Sequence, residues 1–243
     1  MAFKSLYRDR IRVVTKKQFL RCFSLALGCL ALAGAAFAQG TTVTNTFTVN
    51  KAIPDGNSSG LSDTQTLNFV PQQLFAISDL QVTLNITGGF NGDYYGYLVH
   101  NGGFAVLLNR VGRSASNPVG YADGGLNITL SAASPNDIHT YQSVSNPGGG
   151  LLSGIFNADG RNVDPANVLD SDASTALLGS FDGQDPSGQW TLFLADLDYG
   201  EQGQLASWGL VVTAVPEPTS VGLLALGLGG AAAARRWRQA RRS

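Results

Sequence analysis

The sequence predicts an all-β fold, an antiparallel β-sandwich of jelly-roll type, with a short apolar helix at each end of the chain. Three observations carry this expectation. In Ser78 to Thr87 the apolar Leu80, Val82, Leu84 and Ile86 alternate with the polar Asp79, Gln81, Thr83 and Asn85. That period of two gives a strand one dry and one wet face. Clusters of Gly, Pro, Asn and Asp recur between such runs, as in Pro54-Asp55-Gly56-Asn57, Asn101-Gly102-Gly103 and Asn146-Pro147-Gly148-Gly149-Gly150. They supply the turns and positive φ angles that join strands. Finally, no stretch between residues 39 and 215 has helical periodicity.

Taken in order, residues 1–38 read as a signal helix. Lys4, Arg8, Arg10, Arg12, Lys16, Lys17 and Arg21 stand against the single acid Asp9, an apolar run follows from Phe23 to Ala35, and Ala36-Phe37-Ala38 closes it. This is the order of a secretory signal, cut by signal peptidase after Ala38. The apolar run is shorter than the roughly 20 residues of a permanent span. Residues 39–51 form a lead-in strand centred on Thr42 to Val49. Residues 52–213 form the main domain, with strands expected at Ser78 to Thr87, Tyr95 to Val99, Ala105 to Leu108, Leu126 to Leu130, Trp190 to Ala195 and Leu205 to Thr213. The segment Ser131 to Leu178 is long, polar and poor in alternation, and is expected to be elaborated loops with one or two short strands. Residues 214–243 combine Pro216-Glu217-Pro218, an apolar run from Val221 to Ala234, and Arg235, Arg236, Arg238, Arg241 and Arg242.

Composition then excludes some functions. The formal charge of −1 hides a strong asymmetry. Between residues 39 and 215 only Lys51, Arg110, Arg113 and Arg161 oppose 15 acids, all Asp except Glu201, for a formal charge of −11. Nucleic acid is therefore excluded as a partner, because phosphate binding is built on basic surface. Both cysteines, Cys22 and Cys29, lie in the signal segment, so the exported part has neither disulfide nor thiol nucleophile. Its length is sufficient to bury one core without a staple.

Several runs resemble the P/Homo B domain, the accessory domain that follows the protease domain in proprotein convertases and is appended to many bacterial secreted proteins. In the first half these are Ala52-Ile53-Pro54-Asp55-Gly56, Ile77 to Thr87, Asn91-Gly92-Asp93 with Tyr97-Leu98-Val99, and Val106 to Gly112. In the second half the match is closer: Phe181-Asp182-Gly183-Gln184-Asp185-Pro186-Ser187-Gly188-Gln189-Trp190-Thr191-Leu192, then Asp196, then Gly203-Gln204-Leu205-Ala206-Ser207-Trp208-Gly209-Leu210. The resemblance implies a β-sandwich that stabilises or positions a partner domain and does no catalysis. About 14 residues separate the signal from the resemblance, so no protease is expected before it. The residues agree physically. Asp185-Pro186-Ser187-Gly188 has turn chemistry, and Trp190 and Trp208 head apolar faces of their strands, as core anchors or as sugar-stacking platforms.

For chemistry the chain offers two imidazoles, His100 and His139, neither in a recognisable nucleophile or triad context. His100 is expected at a strand end and His139 in a loop. Carboxylates occur in pairs, Asp170/Asp172, Asp182/Asp185 and Asp196/Asp198. Asp in Gly-rich loops forms turns; the same residues also suit calcium, a hard cation that collects carboxylate and carbonyl oxygens from loops. Calcium is the one cofactor the sequence points to, with Asp93, Asp182, Asp185, Asp196 and Asp198 as candidate ligands.

The end of the chain, Val215-Pro216-Glu217-Pro218 followed by an apolar run and arginines, resembles a PEP-CTERM sorting signal. The resemblance implies a Gram-negative host, a transient stop in the inner membrane with the arginines held inside, recognition by an exosortase near Pro216-Glu217-Pro218, removal of the tail, and delivery to the cell surface or matrix. It also implies a link to exopolysaccharide. The expectation is thus a non-enzymatic surface, matrix or biofilm protein that meets extracellular polysaccharide or other surface components. The alternatives are a glycan-binding or hydrolytic module using the Asp-rich loops, and a protease-associated stabilising module acting in trans.

Overall fold

The computed structural model describes residues 40–69 and 75–216, with positions 227, 229, 230, 235 and 239. The signal segment with Ala38, and the tail positions Glu217, Pro218 and Arg236, lie outside the described residues. Among the described residues no helix is long and apolar enough to cross a membrane, so the expected hydrophobic C-terminal helix finds no support there.

Among the described residues nine strands form two sheets. One has five strands in the order β1 (Thr41–Ala52), β9 (Gln204–Pro216), β3 (Phe75–Phe90), β6 (Gly124–Ser131), β7 (Leu152–Phe156). The other has four, in the order β2 (Asn57–Leu67), β8 (Gly188–Asp196), β4 (Tyr94–His100), β5 (Gly103–Asn109). Short 3₁₀ turns at Asn91–Asp93, Ile138–Ser143 and Leu178–Phe181 are the helical elements in this part.

The apolar alternation read in the sequence falls where the strands are. On β3, Leu80, Val82, Leu84 and Ile86 are buried while the residues between them are half-buried or exposed. They join Leu126, Ile128 and Leu130 of β6 and Trp208, Leu210 and Val212 of β9 in one hydrophobic cluster that also takes Leu98, Leu107, Trp190, Leu192 and Leu194 from the other sheet. Apolar burial between the two layers is the main stabilising term. The hairpin between β4 and β5 turns on Asn101-Gly102, both at positive φ (47° and 90°), the two-residue turn whose twist matches a hairpin.

Two features depart from expectation. The sheets are not wholly antiparallel, because β7 pairs with β6 in parallel. A parallel pair needs a long crossover, and residues 132–151 provide it. Strand β2 was not expected at all, since Asn57 to Leu67 is almost entirely polar. It is the edge of its sheet, and its inward position Asp63 is satisfied by the indole N–H of Trp208, which donates to Oδ2 at 2.8 Å, and by Gln65 Nε2 at 2.8 Å.

Topology also sets the poles of the domain. Thr41 pairs with Ala214, and Phe75 with Pro216, so the chain enters and leaves at the same end of the five-stranded sheet. The start of β9 and the end of β3 lie roughly 40 Å away, at about 3.3 Å per strand residue.

Candidate functional site

At this far pole the ends of β2, β4 and β8 meet. Asp196, the last residue of β8, pairs in register with Asn57 at the start of β2 and with Tyr94 at the start of β4. Asp55 and Asp93 are thereby carried next to it. The loop after β8 adds Asp198, and it is pinned in three places. Leu197 N–H donates to the Asp93 carbonyl at 2.9 Å, Gly56 N–H to the Asp198 carbonyl at 3.2 Å, and Gly200 N–H to the Asp55 carboxylate at 3.2 Å.

One cation stands against these acids. Arg110 follows β5 in a left-handed conformation (φ 49°), which is uncommon for a residue with a side chain. Its N–H donates to the Tyr94 carbonyl, its Nε to the Gly92 carbonyl at 2.6 Å, and its Nη2 lies 3.4 Å from both Asp93 Oδ1 and Asp198 Oδ2. The guanidinium is buried and bridges the two carboxylates.

Asp196 is the anomaly. It is 1% exposed, and neither carboxylate oxygen has a hydrogen-bonding partner. Burial, with Asp93 and Asp55 adding repulsion, pushes its pKa up to about 7, against the opposing charge of Arg110. Asp93 is also raised, by burial foremost, against the pull of Arg110 and with Asp198 and Asp55 adding to the rise. An unpaired buried carboxylate is costly unless it is protonated.

A stability consequence follows from the direction of the shift. The unfolded Asp196 ionises near 4 while the folded one holds its proton to about 7, so its contribution is complete below pH 4 and is lost as pH rises to about 7. Thermal melts of the wild type are expected to show Tm falling across that window. Asp196→Asn should remove most of the slope; a variant with the wild-type slope would contradict this assignment.

In front of these carboxylates opens a cleft of about 270 Å³ lined by Phe90, Asp93, Val119, Tyr121, Asp198 and Tyr199, among others. Tyr199 is 82% exposed and Val119 63% exposed. The Tyr199 ring stands close to Gly56: a Cβ there would lie 2.5 Å from its Cε1, so a larger residue would displace the ring.

The five predicted metal ligands do not form one set. Asp93, Asp196 and Asp198 meet here. Asp182 and Asp185 sit before the start of β8, roughly 26 Å along the strand from its other end. Asp185 makes the turn its sequence suggests, accepting the Ser187 N–H at 2.9 Å. Asp182 is exposed after the 3₁₀ turn, its pKa raised by slight burial and by Asp79. Among the described residues no three His, Cys, Asp or Glu side chains converge closely enough to hold a metal ion. Asp55, Arg110 and Tyr199 were not anticipated; Arg110, one of four bases in a region of 15 acids, was the available signal.

The other candidates are structural in their placement. Trp190 and Trp208 are 0% and 1% exposed, too buried to offer a face to a ligand. His100 is stacked on Trp190 with centroids 3.8 Å apart, its two nitrogens facing the Gln189 and Asp185 carbonyls. His139 is fully buried between Asp159 and the Arg113 carbonyl, a core residue rather than a loose loop residue.

Comparison with known proteins adds one family. Residues 214–239 match the PEP-CTERM protein-sorting motif, so the chain carries the signal of an exported protein handled by an exosortase and destined for the surface or exterior of a Gram-negative cell. No curated protein matches the chain. Two solved structures resemble it distantly. One is the serine protease of Aeromonas sobria in complex with its chaperone, with a TM-score of 0.42, 16% identity, and coverage of 76% of this chain and 29% of that one. The other is the same organism's serine protease, with a TM-score of 0.41, 15% identity, and coverage of 76% and 28%. The chain spans less than a third of the length of either.

Proposed function

We propose that this is a non-enzymatic surface or matrix protein, linked to exopolysaccharide, whose β-domain is a P-domain-like sandwich. The observation that carries the reading is the sorting motif at residues 214–239. The motif marks a protein whose working form is the domain before it, and that domain is strongly acidic. Net charge of this size keeps a protein soluble among polymers and resists adsorption to anionic surfaces. Support for a non-enzymatic role comes from the imidazoles: each has both ring nitrogens engaged, by backbone carbonyls or by Asp159. A general base needs a nitrogen that can reach a substrate proton.

The sheet constrains the sorting step. Strand β9 runs to Pro216, which still pairs with Phe75. A cut that leaves this strand whole therefore falls after Pro216. Changing Glu217 and Pro218 together to alanine is expected to leave the protein in the inner-membrane fraction with its arginines attached. Normal release of that variant would contradict recognition through this motif.

A second reading is favoured by one observation, the two unpartnered Asp196 oxygens. We keep calcium as a proposal at the pole that carries Asp93, Asp196 and Asp198, although these three do not form a converged ligand set in this structure. Binding would place charge opposite the ionised carboxylate and so cancel the loss of stability between pH 4 and 7. A Tm at pH 7 that is the same in calcium and in chelator removes the idea.

A further inference from the structure

We infer that the cleft at the far pole binds a single uncharged pyranose ring of an extracellular polysaccharide. The inference rests on the surface or matrix role proposed above, since that role brings polysaccharide to the domain.

Placement comes first. Both chain ends leave at one pole, where Thr41 pairs with Ala214, while the cleft sits beyond the end of β3 and the start of β9. A chain held by its tail during export therefore presents the cleft away from the point of attachment, toward whatever lies outside.

Lining chemistry comes second. A pyranose is amphipathic, with an apolar face of C–H groups and a rim of hydroxyls. Tyr199 offers a largely exposed aromatic ring beside Gly56, and the loop that carries it is pinned by Asp55 and Asp93. With its backbone pinned, the ring can stack on the C–H face of a sugar without rearrangement of the loop. Phe90, Val119 and Tyr121 extend the apolar wall, and Asp93 and Asp198 supply acceptors for hydroxyl protons. Pockets with an apolar lining and a few convergent polar groups are the usual form of small-ligand sites.

Size and charge narrow the ligand. At about 270 Å³ the cleft falls below the roughly 300–1,000 Å³ of sites for drug-sized molecules, which suits one ring and not a buried oligomer. Asp93 and Asp198 line it, with Arg110 as their shared counter-ion. Arg110 is committed to Asp93, Asp198 and the Gly92 carbonyl, so it offers no carboxylate clamp. A uronate would bring a further carboxylate beside Asp93 and Asp198, which already share one guanidinium between them, and such like-charge crowding is how a site rejects a near-isosteric ligand.

The test is an NMR titration of the purified protein, with or without its tail, with methyl glucoside, methyl glucuronide, methyl glucosaminide and n-propylamine at one ionic strength. Methyl glucoside is expected to shift resonances of the cleft, with the glucuronide weaker by about tenfold or more. Tyr199→Ala should weaken the glucoside by about tenfold, while Tyr199→Phe, which keeps the ring, stays within about twofold. Because Tyr199 is exposed, neither variant threatens the fold. A glucoside that shifts nothing, or binds equally well to Tyr199→Ala, overturns the inference. So does binding confined to the glucosaminide and propylamine, which would mark a cation site. Failure of tail removal would leave this titration unchanged, so the two readings fail separately.

Discussion

Replacing Asp159 with alanine is expected to destabilise the domain by about 3–5 kcal/mol, the cost of leaving buried charges unpaired. Asp159 is fully buried at the centre of the long segment between β6 and β8. Its Oδ2 accepts the Asn109 N–H at 3.1 Å and His139 Nδ1 at 2.8 Å; its Oδ1 accepts the Arg161 N–H at 3.3 Å and Arg161 Nη1 at 3.2 Å. Arg161 continues to Asp137 at 2.9 Å and to the Asp170 carbonyl. Without the carboxylate, one imidazole, one guanidinium and two amides lose their partner together.

The network also has a pH signature. Both His139 nitrogens face acceptors, Asp159 and the Arg113 carbonyl, so the ring is satisfied only when doubly protonated. Burial pulls its pKa down, but the Asp159 hydrogen bond and charge, with the Arg113 carbonyl, outweigh it and raise the pKa above 6.5. Its stabilisation is complete below pH 6.5 and is lost as pH rises through the folded value. Urea denaturation of Asp159→Ala checks both points: a loss under about 1 kcal/mol would mean that the network does not stabilise the fold. In Asp159→Asn, which keeps the shape, the pH-dependent part should vanish while part of the stability returns.

Trp190→Ala is expected to cost about 3–5 kcal/mol, the range for emptying a buried aromatic site. The side chain is fully buried, stacks on His100 at 3.8 Å and packs against Phe181 at 5.2 Å. Its indole N–H donates to the Pro186 carbonyl at 3.0 Å. The loss therefore reaches beyond the cavity: the Asp185–Gly188 turn is held by Trp190 from inside and by His100, whose Nε2 lies 2.7 Å from the Asp185 carbonyl. Thermal melts should show Tm lower by roughly 10 °C, at about 2–4 °C per kcal/mol for a domain of this size. Trp190→Phe, which refills most of the space but lacks the N–H, should recover much of it. Equal stability for the alanine variant would mean that this end of the core is not packed as described.

The strands that could be read from the sequence are those whose alternation is apolar. β3 shows it in Leu80 to Ile86, and β9 in Trp208 to Val212, because every second residue enters the common core. β2 could not be read, because its inward Asp63 is polar and is made tolerable by Trp208, 145 positions away. The segment from Ser131 to Leu178 was unreadable for a related reason. It is organised around Asp159, His139 and Arg161, and a polar network has no period. Parallel β7 leaves no mark either, since its five residues are buried only at the two ends and do not record direction.

The candidate site was half legible. Asp93, Asp196 and Asp198 were expected together, but Asp182 and Asp185 have the same loop chemistry and lie at the opposite end of β8. What separates the two groups is strand register: the pairing of Asp196 with Asn57 and Tyr94 brings Asp55 and Asp93 to one end. Tyr199 is one residue from Asp198 and would have passed for an ordinary loop aromatic. Its position is set beside Gly56, 143 positions earlier, where a Cβ would meet the ring.

The claim on which the rest depends is that the tail directs this protein outward and is then lost. Intact-mass and C-terminal peptide analysis of the protein recovered from the cell surface tests it. The expected product begins after Ala38, ends at or shortly after Pro216, where β9 ends, and lacks Arg235 to Arg242. A surface form that still carries those arginines would contradict the account.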